Sequence, residues 1–168
     1  MKKLVALLTI TLLCASASAE ESTNWTSALF RSKMNLPGAN WAISIDGNRV
    51  TGYSSDGLTA FEMQRTEKTK RKMPIKQALI STQVSHKQRF SFISASNEIT
   101  CGARNGFAEF CFQRHRGFIE RSGWSSQGEM IVFAARVGSL VITGAVYSAQ
   151  PIHARHYVEY MFGSLKRR

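Results

Sequence analysis

Residues 41–65 show the clearest alternation of apolar and polar positions in the chain. Within them, residues 41–45 alternate apolar with small or polar side chains, and a turn sequence at 46–48 precedes a returning segment at 49–53. This arrangement is typical of a β-hairpin, because successive side chains of a strand point to opposite faces of a sheet. A second turn leads to residues 58–65, which we predict to be a third strand.

Short apolar or alternating segments recur through the second half of the chain and predict further strands. The dipeptide Asn105-Gly106 separates two of them, and residues 138–139 separate the last two. Both are typical of antiparallel hairpins, whereas residues 122–128 are expected to be loops. The predicted strands cover residues 89–94, 99–104, 108–113, 118–121, 130–135 and 140–147.

Three segments space their apolar residues as helices do. Residues 22–34 are expected to form a short helix, residues 74–85 a central helix, and residues 151–165 a C-terminal helix. The last two begin with proline, which suits a first helical turn because the N–H that it lacks has no partner there. The basic residues 166–168 would then end the last helix, where cations interact favourably with the helix dipole.

Hairpins interspersed with helices predict an α+β fold. We expect an antiparallel sheet of about six to eight strands, with a central and a C-terminal helix packed on it. The sequence shows no internal repeat and no linker long enough to divide it. Residues 20–168 are therefore predicted to form a single α+β domain, preceded by a separate segment at 1–19.

The first nineteen residues have the pattern of a secretory signal peptide. Lys2 and Lys3 precede an apolar run at 4–13, and Ala17-Ser18-Ala19 supplies a small-residue cleavage site. The run is too short for a transmembrane helix, which needs about 20 apolar residues. Cys14 raises the alternative of a lipoprotein, but the residue before it is not small. We therefore expect cleavage after Ala19, which would leave a periplasmic or secreted bacterial protein.

Cleavage would leave two cysteines, Cys101 and Cys111, on either side of a turn. An even pair in an exported domain indicates a disulfide. A two-residue turn would place Cys101 opposite Phe110, and Cys111 would point to the other face. A three-residue bulged loop that pairs Arg104 with Ala108 would bring the two cysteines together. We expect the bulged loop and the disulfide; the tight turn with separate thiols is the alternative.

Positive charge is the strongest clue to a binding role. The chain has 22 Lys and Arg against 11 Asp and Glu, which gives a formal charge of +11. Such an excess favours anionic partners if the charges converge on one surface. Charges spread evenly over the surface would not indicate any particular partner. The candidate binding residues form a run and a second, shorter group: Lys68, Lys70, Arg71 and Lys72, then Arg114 and Arg116.

The sequence carries no recognisable catalytic motif, and we assign no catalytic residue, metal site or cofactor. His153 and His156 could share a helix face, but a zinc site needs three or four ligands and no further ligand lies nearby in sequence. Acidic residues, among them Glu109, Glu120 and Glu129, are scattered over different predicted elements. An enzyme is therefore less expected than a binding protein.

Two stretches resemble the PsbP/Mog1-like class of α/β/α sandwiches. Pro37-Gly38 followed by residues 41–45 is similar to the opening strand of that class. Residues 137–147, followed by 151–165, are similar to its closing strand and packed final helix. The resemblance implies an accessory or binding role in an envelope assembly, and it implies no functional residue.

Together these patterns predict an exported, non-enzymatic binding or accessory protein of the bacterial envelope. We expect its partner to be an envelope protein or an anionic surface, and peripheral contact with a membrane is included in the second case. We expect no specific binding of nucleic acid. Alternatives are a small secreted hydrolase with a cleft near Glu120 and Trp124, and an inhibitor or immunity-type protein. A concave pocket around a carboxylate would favour the hydrolase, and a protruding loop would favour the inhibitor.

Overall fold

A computed structural model describes residues 22–30, 32–37, 40–66, 73–87, 91–95, 98–104, 107–121 and 124–149, together with residues 158, 161, 166 and 167. Within them lie eleven strands and one continuous helix. In chain order they are β1 (Ser22–Ser27), β2 (Ser32–Pro37), β3 (Ala42–Asp46), β4 (Arg49–Tyr53), β5 (Thr59–Arg65), α1 (Ile75–Lys87), β6 (Ser91–Ala95), β7 (Thr100–Arg104), β8 (Phe107–Arg121), β9 (Trp124–Val137), β10 (Leu140–Ser148) and β11 (Lys166–Arg167). None of the described helical segments is long and apolar enough to cross a membrane.

Eight strands form one antiparallel sheet, and this confirms the predicted sheet. Its order is β3-β4-β5-β10-β9-β8-β6, and β7 pairs with β8 as well. The strands β6 and β7 lie end to end along β8, since Ala95 pairs with His115 and Thr100 with Phe112. The central strand β10 is buried along its whole length, because other elements cover the sheet on both faces.

The hairpin β1–β2 covers one face of the large sheet, called here the hairpin face. Trp25 and Met34 lie opposite each other in the hairpin, and they share a buried apolar cluster with Phe61 and Phe133 of the sheet. The ring centroids of Trp25 and Phe61 are 6.0 Å apart. Burying one large apolar side chain stabilises a fold by about 1.5–3 kcal/mol, so this cluster is a main source of stability.

The helix α1 covers the opposite face, called here the helix face. It begins as predicted, with the carbonyl oxygen of Pro74 accepting a hydrogen bond from the backbone N–H of Ala78 at 3.1 Å. Ile75, Ala78 and Leu79 form the buried stripe of the helix and share a cluster with Val132 of β9. The central helix and its apolar stripe are therefore confirmed.

The predicted helix over residues 22–34 is wrong, because that segment forms β1 and β2. In β2 the buried Met34 and Leu36 alternate with more exposed neighbours, which is the period of a strand. The connecting turn is held by the Ser27 hydroxyl, which accepts a hydrogen bond from the backbone N–H of Phe30 at 3.3 Å. Alternation and cross-strand burial outweigh the helical spacing on which the prediction rested.

The C-terminal segment also departs from prediction at its end. Lys166 and Arg167 do not end a helix; they form β11 and pair with Lys33 and Ser32 of β2. Of the expected helix at 151–165, the described residues Val158 and Met161 are helical and buried in the cluster of the hairpin face. The rest of that helix, like the signal peptide at 1–19, lies outside the described residues, so both stay predictions.

Strands β8 and β9 are longer than predicted. They pair continuously from Glu109 opposite Arg136 to Arg121 opposite Trp124. The predicted strands 108–113 and 118–121 are thus parts of a single strand, and β9 starts within the residues expected to be loops. The ladder is made by backbone hydrogen bonds, which continue where the side chains are polar and no apolar alternation marks the strand.

Candidate functional site: the arginine strip

The two groups of predicted binding residues differ in what the structure shows of them. The run Lys68, Lys70, Arg71 and Lys72 lies outside the described residues, so its place on the surface stays a prediction. Arg114 and Arg116 lie on β8. Both are on the hairpin face, because Arg114 is opposite Ile131 of the hairpin-face cluster and Arg116 follows two residues later.

Phe118 extends this row by one more position on the same face. The side chains of Arg114 and Arg116 are 36% and 65% exposed, and Phe118 is 42% exposed. We call these three residues the arginine strip. His115, between the two arginines in sequence, points to the helix face and is buried, so the basic cluster seen in the sequence divides between two faces.

A buried carboxylate holds the arginine strip in place. Glu129 on β9 lies directly opposite Arg116, and its side chain has no exposed surface. Arg114 donates two hydrogen bonds to Oε1 of Glu129, from Nε at 2.8 Å and from Nη2 at 2.5 Å. Nε of Arg116 is 4.0 Å from the same oxygen, which is an ion pair without a hydrogen bond. Among the described residues, none donates to Oε2.

Glu129 belongs to a polar row that crosses the sheet. It pairs with Ser148 on β10, and Ser148 pairs with Thr59 on β5. Both are buried, and their hydroxyl oxygens are 3.3 Å apart. The row therefore runs from the exposed Arg116 to Thr59, along one end of the apolar cluster. Sequence reasoning missed it, because Glu129 looked isolated until the extent of β8 and β9 placed it opposite Arg116.

The ladder of β8 and β9 continues past its neighbours as a two-stranded ribbon. Strand β6 ends its pairing at Phe118, and β10 ends at Glu129, whereas β8 and β9 stay paired as far as residues 121 and 124. Residues 119–128 thus have no further strand beside them in the described part of the chain. Glu120 and Trp124, which the cleft hypothesis names, both lie on this ribbon.

The predicted disulfide is present, but the register that creates it differs from the prediction. Cys101 and Cys111 are bonded, with Cα atoms 4.1 Å apart. Arg104 pairs with Phe107, not with Ala108, so the three-residue loop is wrong. The register shifts between Gly102 and Arg104 instead. Between these two pairs β8 has one more residue than β7. The extra residue places Cys101 directly opposite Cys111, so their side chains share a face as the disulfide requires.

Other ion pairs in the described residues stabilise the scaffold. Nε of Arg136 lies 3.0 Å from Oε2 of Glu109 on the neighbouring strand. On the helix face, Nη2 of Arg49 is 2.5 Å from Oε1 of Glu62. The hydrogen bond to Glu62, followed by the charge of that carboxylate, raises the pKa of Arg49 against the opposing effect of burial. Arg49 is therefore a fixed charge at every physiological pH.

Metal ligands do not cluster in the part of the chain that the structure describes: no three His, Cys, Asp or Glu side chains there could hold one ion. His153 and His156 lie outside the described residues. The chemistry that the described geometry supports is that of a positively charged contact surface with an aromatic neighbour. Two guanidinium groups share one carboxylate, which leaves the site with a net positive charge.

The sequence matches no family model and none of the curated proteins. Two solved structures are similar in fold. A protein from Bacteroides thetaiotaomicron is 12% identical with a TM-score of 0.47, over 86% of this chain and 48% of that one, so the chain spans about half its length. The Saccharomyces cerevisiae Ran-binding protein Mog1p is 8% identical with a TM-score of 0.57, over 89% of this chain and 96% of that one. At 8% identity the likeness to Mog1p shows the fold alone, and it supports the resemblance to the PsbP/Mog1-like class.

Proposed function

We propose that this chain is an exported, non-enzymatic binding module of the bacterial envelope, and that it binds an acidic surface of another envelope protein. The observation that carries the proposal is the arginine strip, in which two guanidinium groups and an exposed ring lie in a row on one face of β8. The predicted run Lys68, Lys70, Arg71 and Lys72 is the second part of the proposed contact.

The ion pair with Glu129 prepares Arg114 for binding. Its Nε and Nη2 atoms are already bound to the buried carboxylate, so less side-chain entropy is lost when a partner docks. Arg116 is mostly exposed and can form a bidentate contact with a carboxylate of the partner. Phe118 adds exposed aromatic surface beside it. Arginine and aromatic side chains are the residues in which binding energy is commonly concentrated.

Two further observations support the proposal. Mog1p, which shares the fold, is a Ran-binding protein, so one protein of this fold is known to bind another protein. The N-terminal pattern and the Cys101–Cys111 disulfide are both typical of export to an oxidising compartment. Mass spectrometry of the protein from cells is expected to show a chain that begins after Ala19 and has no free thiol; an intact initiator methionine would contradict export.

Charge reversal of Arg116 tests the contact surface. Arg116→Glu sets a carboxylate opposite the buried Glu129, and like charges at such a position destabilise a sheet, so capture is compared only for protein whose urea unfolding shows a folded state. Lys76→Glu, at an exposed position of α1, makes the same change of net charge on the other face. We expect R116E to reduce capture of the envelope partner at least tenfold and K76E to leave it nearly unchanged. Neutralising residues 68, 70, 71 and 72 should also weaken capture and flatten its dependence on salt.

A vesicle assay separates a protein partner from a membrane. Phosphatidylglycerol vesicles are incubated with the parent protein and with R116E, and sedimentation measures the bound fraction. The proposal expects neither protein to bind the vesicles at physiological salt while the parent still captures its protein partner. Vesicle binding that R116E abolishes would instead favour an anionic membrane surface, and equal protein capture by R116E and K76E would contradict the arginine strip.

The ribbon favours a second candidate, an inhibitor-type protein. Residues 119–128 extend past the ends of β6 and β10, as an element inserted into a partner's cleft would. Replacing residues 120–125 with Asn-Gly would connect Ile119 to Ser126, which are already paired, by a two-residue turn. An inhibitor would lose its target through this change and keep it in R116E; the leading proposal expects the reverse.

A further inference from the structure

Strand β3 is an open edge of the eight-stranded sheet. Among the described strands, it ends the strand order and pairs with β4 alone. Ile45 is 60% exposed, and Ala42, Ser44 and Asp46 are exposed as well, so no described element covers these four side chains. An open edge presents unpaired backbone groups that can pair with another strand.

The direction of the free backbone groups follows from the next strand. The carbonyl oxygen of Asn48 accepts a hydrogen bond from the N–H of Arg65 on β5 at 2.9 Å. Even-numbered residues of β4 therefore bond to β5, and odd-numbered ones bond to β3, because these groups alternate along a strand. Since Thr51 pairs with Ser44, the groups of Ser44 point to β4, and those of Ile43 and Ile45 point outward.

The edge carries one charge, Asp46 at its last residue, and otherwise lacks the features that commonly prevent pairing. Proteins commonly protect such edges with lysine, proline or a bulge. The chain has 22 Lys and Arg, yet the sequence of β3 is AISID, without a basic residue or a proline. Its register with β4 runs without a shift from Ala42 to Asp46, so the strand has no bulge either.

We propose that β3 pairs with β3 of a second copy of this chain, antiparallel and centred on Ser44. Antiparallel partners on one face must be residues of the same parity, because side chains alternate. Centring on Ser44 satisfies this condition and pairs all five residues of the strand. Ile43 then lies opposite Ile45 of the second copy, twice, and each of these pairs exchanges two backbone hydrogen bonds.

The side chains of β3 suit its own copy. The isoleucines of both chains meet on the hairpin face, where Ile43 already packs against the buried cluster, so the two apolar clusters become continuous. Asp46 lies opposite Ala42 of the second copy, and no like charges face each other across the pair. This complementarity of strand β3 with itself is the argument for a second copy over another partner.

The contact is small, which predicts a dimer that dissociates on dilution. A single five-residue strand pair with four isoleucines falls at the low end of specific interfaces, below about 1,200 Å². The positive charge of the whole chain opposes association, so added salt is expected to strengthen the dimer by screening. Binding through the arginine strip has the opposite dependence on salt, and the failure of one proposal leaves the other standing.

Analytical ultracentrifugation of the purified, disulfide-bonded protein tests the dimer. Ile45→Lys places a charge on the edge, and Ile80→Lys makes the same change at an exposed isoleucine of α1. We expect a concentration-dependent dimer for the parent and for I80K, and a dissociation constant at least tenfold higher for I45K. Circular dichroism should show the same fold for all three, because both isoleucines are exposed.

A cysteine at the centre of the pair tests the register. Ser44→Cys would face its own copy in a pair without backbone hydrogen bonds, with Cα atoms about 4.5 Å apart, within reach of a disulfide. The control is Ser81→Cys, at an exposed serine of α1. Under oxidised glutathione, S44C should form a covalent dimer at least tenfold faster than S81C.

Three results would overturn the proposal. They are a parent protein that stays monomeric at every concentration, a dimer that I45K leaves intact, and equal rates of cross-linking for S44C and S81C. A monomer that instead captures a strand from a different protein gives the first of these results.

Discussion

Two regions of the β8–β9 ladder carry the same kind of ion pair in opposite surroundings. At one end of the ladder, Arg136 and Glu109 lie opposite each other, and the carboxylate is 54% exposed. Near its middle, Glu129 is fully buried and bound by Arg114. Two arginine–glutamate pairs on one pair of strands thus differ mainly in access to water, and this difference decides what each contributes.

Burial makes the arginine obligatory only in the pair with Glu129. An exposed ion pair adds little, because water solvates both charges almost as well. A buried carboxylate without its partner is strongly destabilising. Arg114 therefore has two tasks, since it compensates Glu129 and also presents its exposed part in the arginine strip. Arg116, farther from Glu129 and more exposed, is freer to bind a partner.

The largest expected effect is the loss of Arg114. Arg114→Met keeps much of the apolar stem and leaves Glu129 with only the distant Arg116, so we expect a loss of about 3–4 kcal/mol in the free energy of unfolding. The partial exposure of Arg114 places this value in the lower part of the range for buried pairs. Urea unfolding followed by circular dichroism measures it.

A second substitution separates a buried charge from poor packing. Glu129→Gln in the R114M background removes the uncompensated charge and keeps the shape of the side chain. The double variant should recover most of the lost stability. A double variant as unstable as R114M alone would show that lost packing around Arg114, not the charge of Glu129, explains the effect.

The disulfide is the next largest effect, and it belongs to the Glu109 end of the ladder. The closed loop spans a sequence separation of 10, for which the chain-entropy model gives roughly 2–3 kcal/mol. The variant C101S/C111S should lose this amount. Hydrogen exchange should show faster opening in β7 and the first half of β8 and unchanged protection at residues 129–131; uniform loss along the whole ladder would argue against two separate regions.

The exposed pair should matter least. Glu109→Gln removes the ion pair and leaves Arg136 able to donate from Nη2 to the carbonyl of Met73, at 3.2 Å in the parent. We expect a change below about 1 kcal/mol, shrinking further in high salt. A loss as large as that of R114M, measured by the same urea titrations, would remove the distinction between the two ion pairs.

The candidate site was only partly predictable from the sequence. Arg114 and Arg116 were identified from charge alone, and the sequence analysis placed them between two predicted strands. Glu129 could not be matched to them, because its partner depends on where β8 and β9 turn, and the polar residues at 122–128 read as loops. Phe118 was assigned to a short separate strand, so its place in the strip emerged only from the continuous ladder.

The amino-acid pattern by itself determined the hairpins with strong turns, the central helix and the pairing of the cysteines. The first two depend on neighbours in sequence, namely the turn at Gly47 and the stripe of α1, and the third on an even pair of cysteines in a chain expected to be exported. Tertiary structure alone decided that residues 22–37 form a covering hairpin, that a register shift rather than a wider turn joins the cysteines, and that one carboxylate is buried beside two arginines. The reason is physical: backbone ladders and burial depend on partners distant in sequence, and a local pattern of apolar and polar residues does not record them.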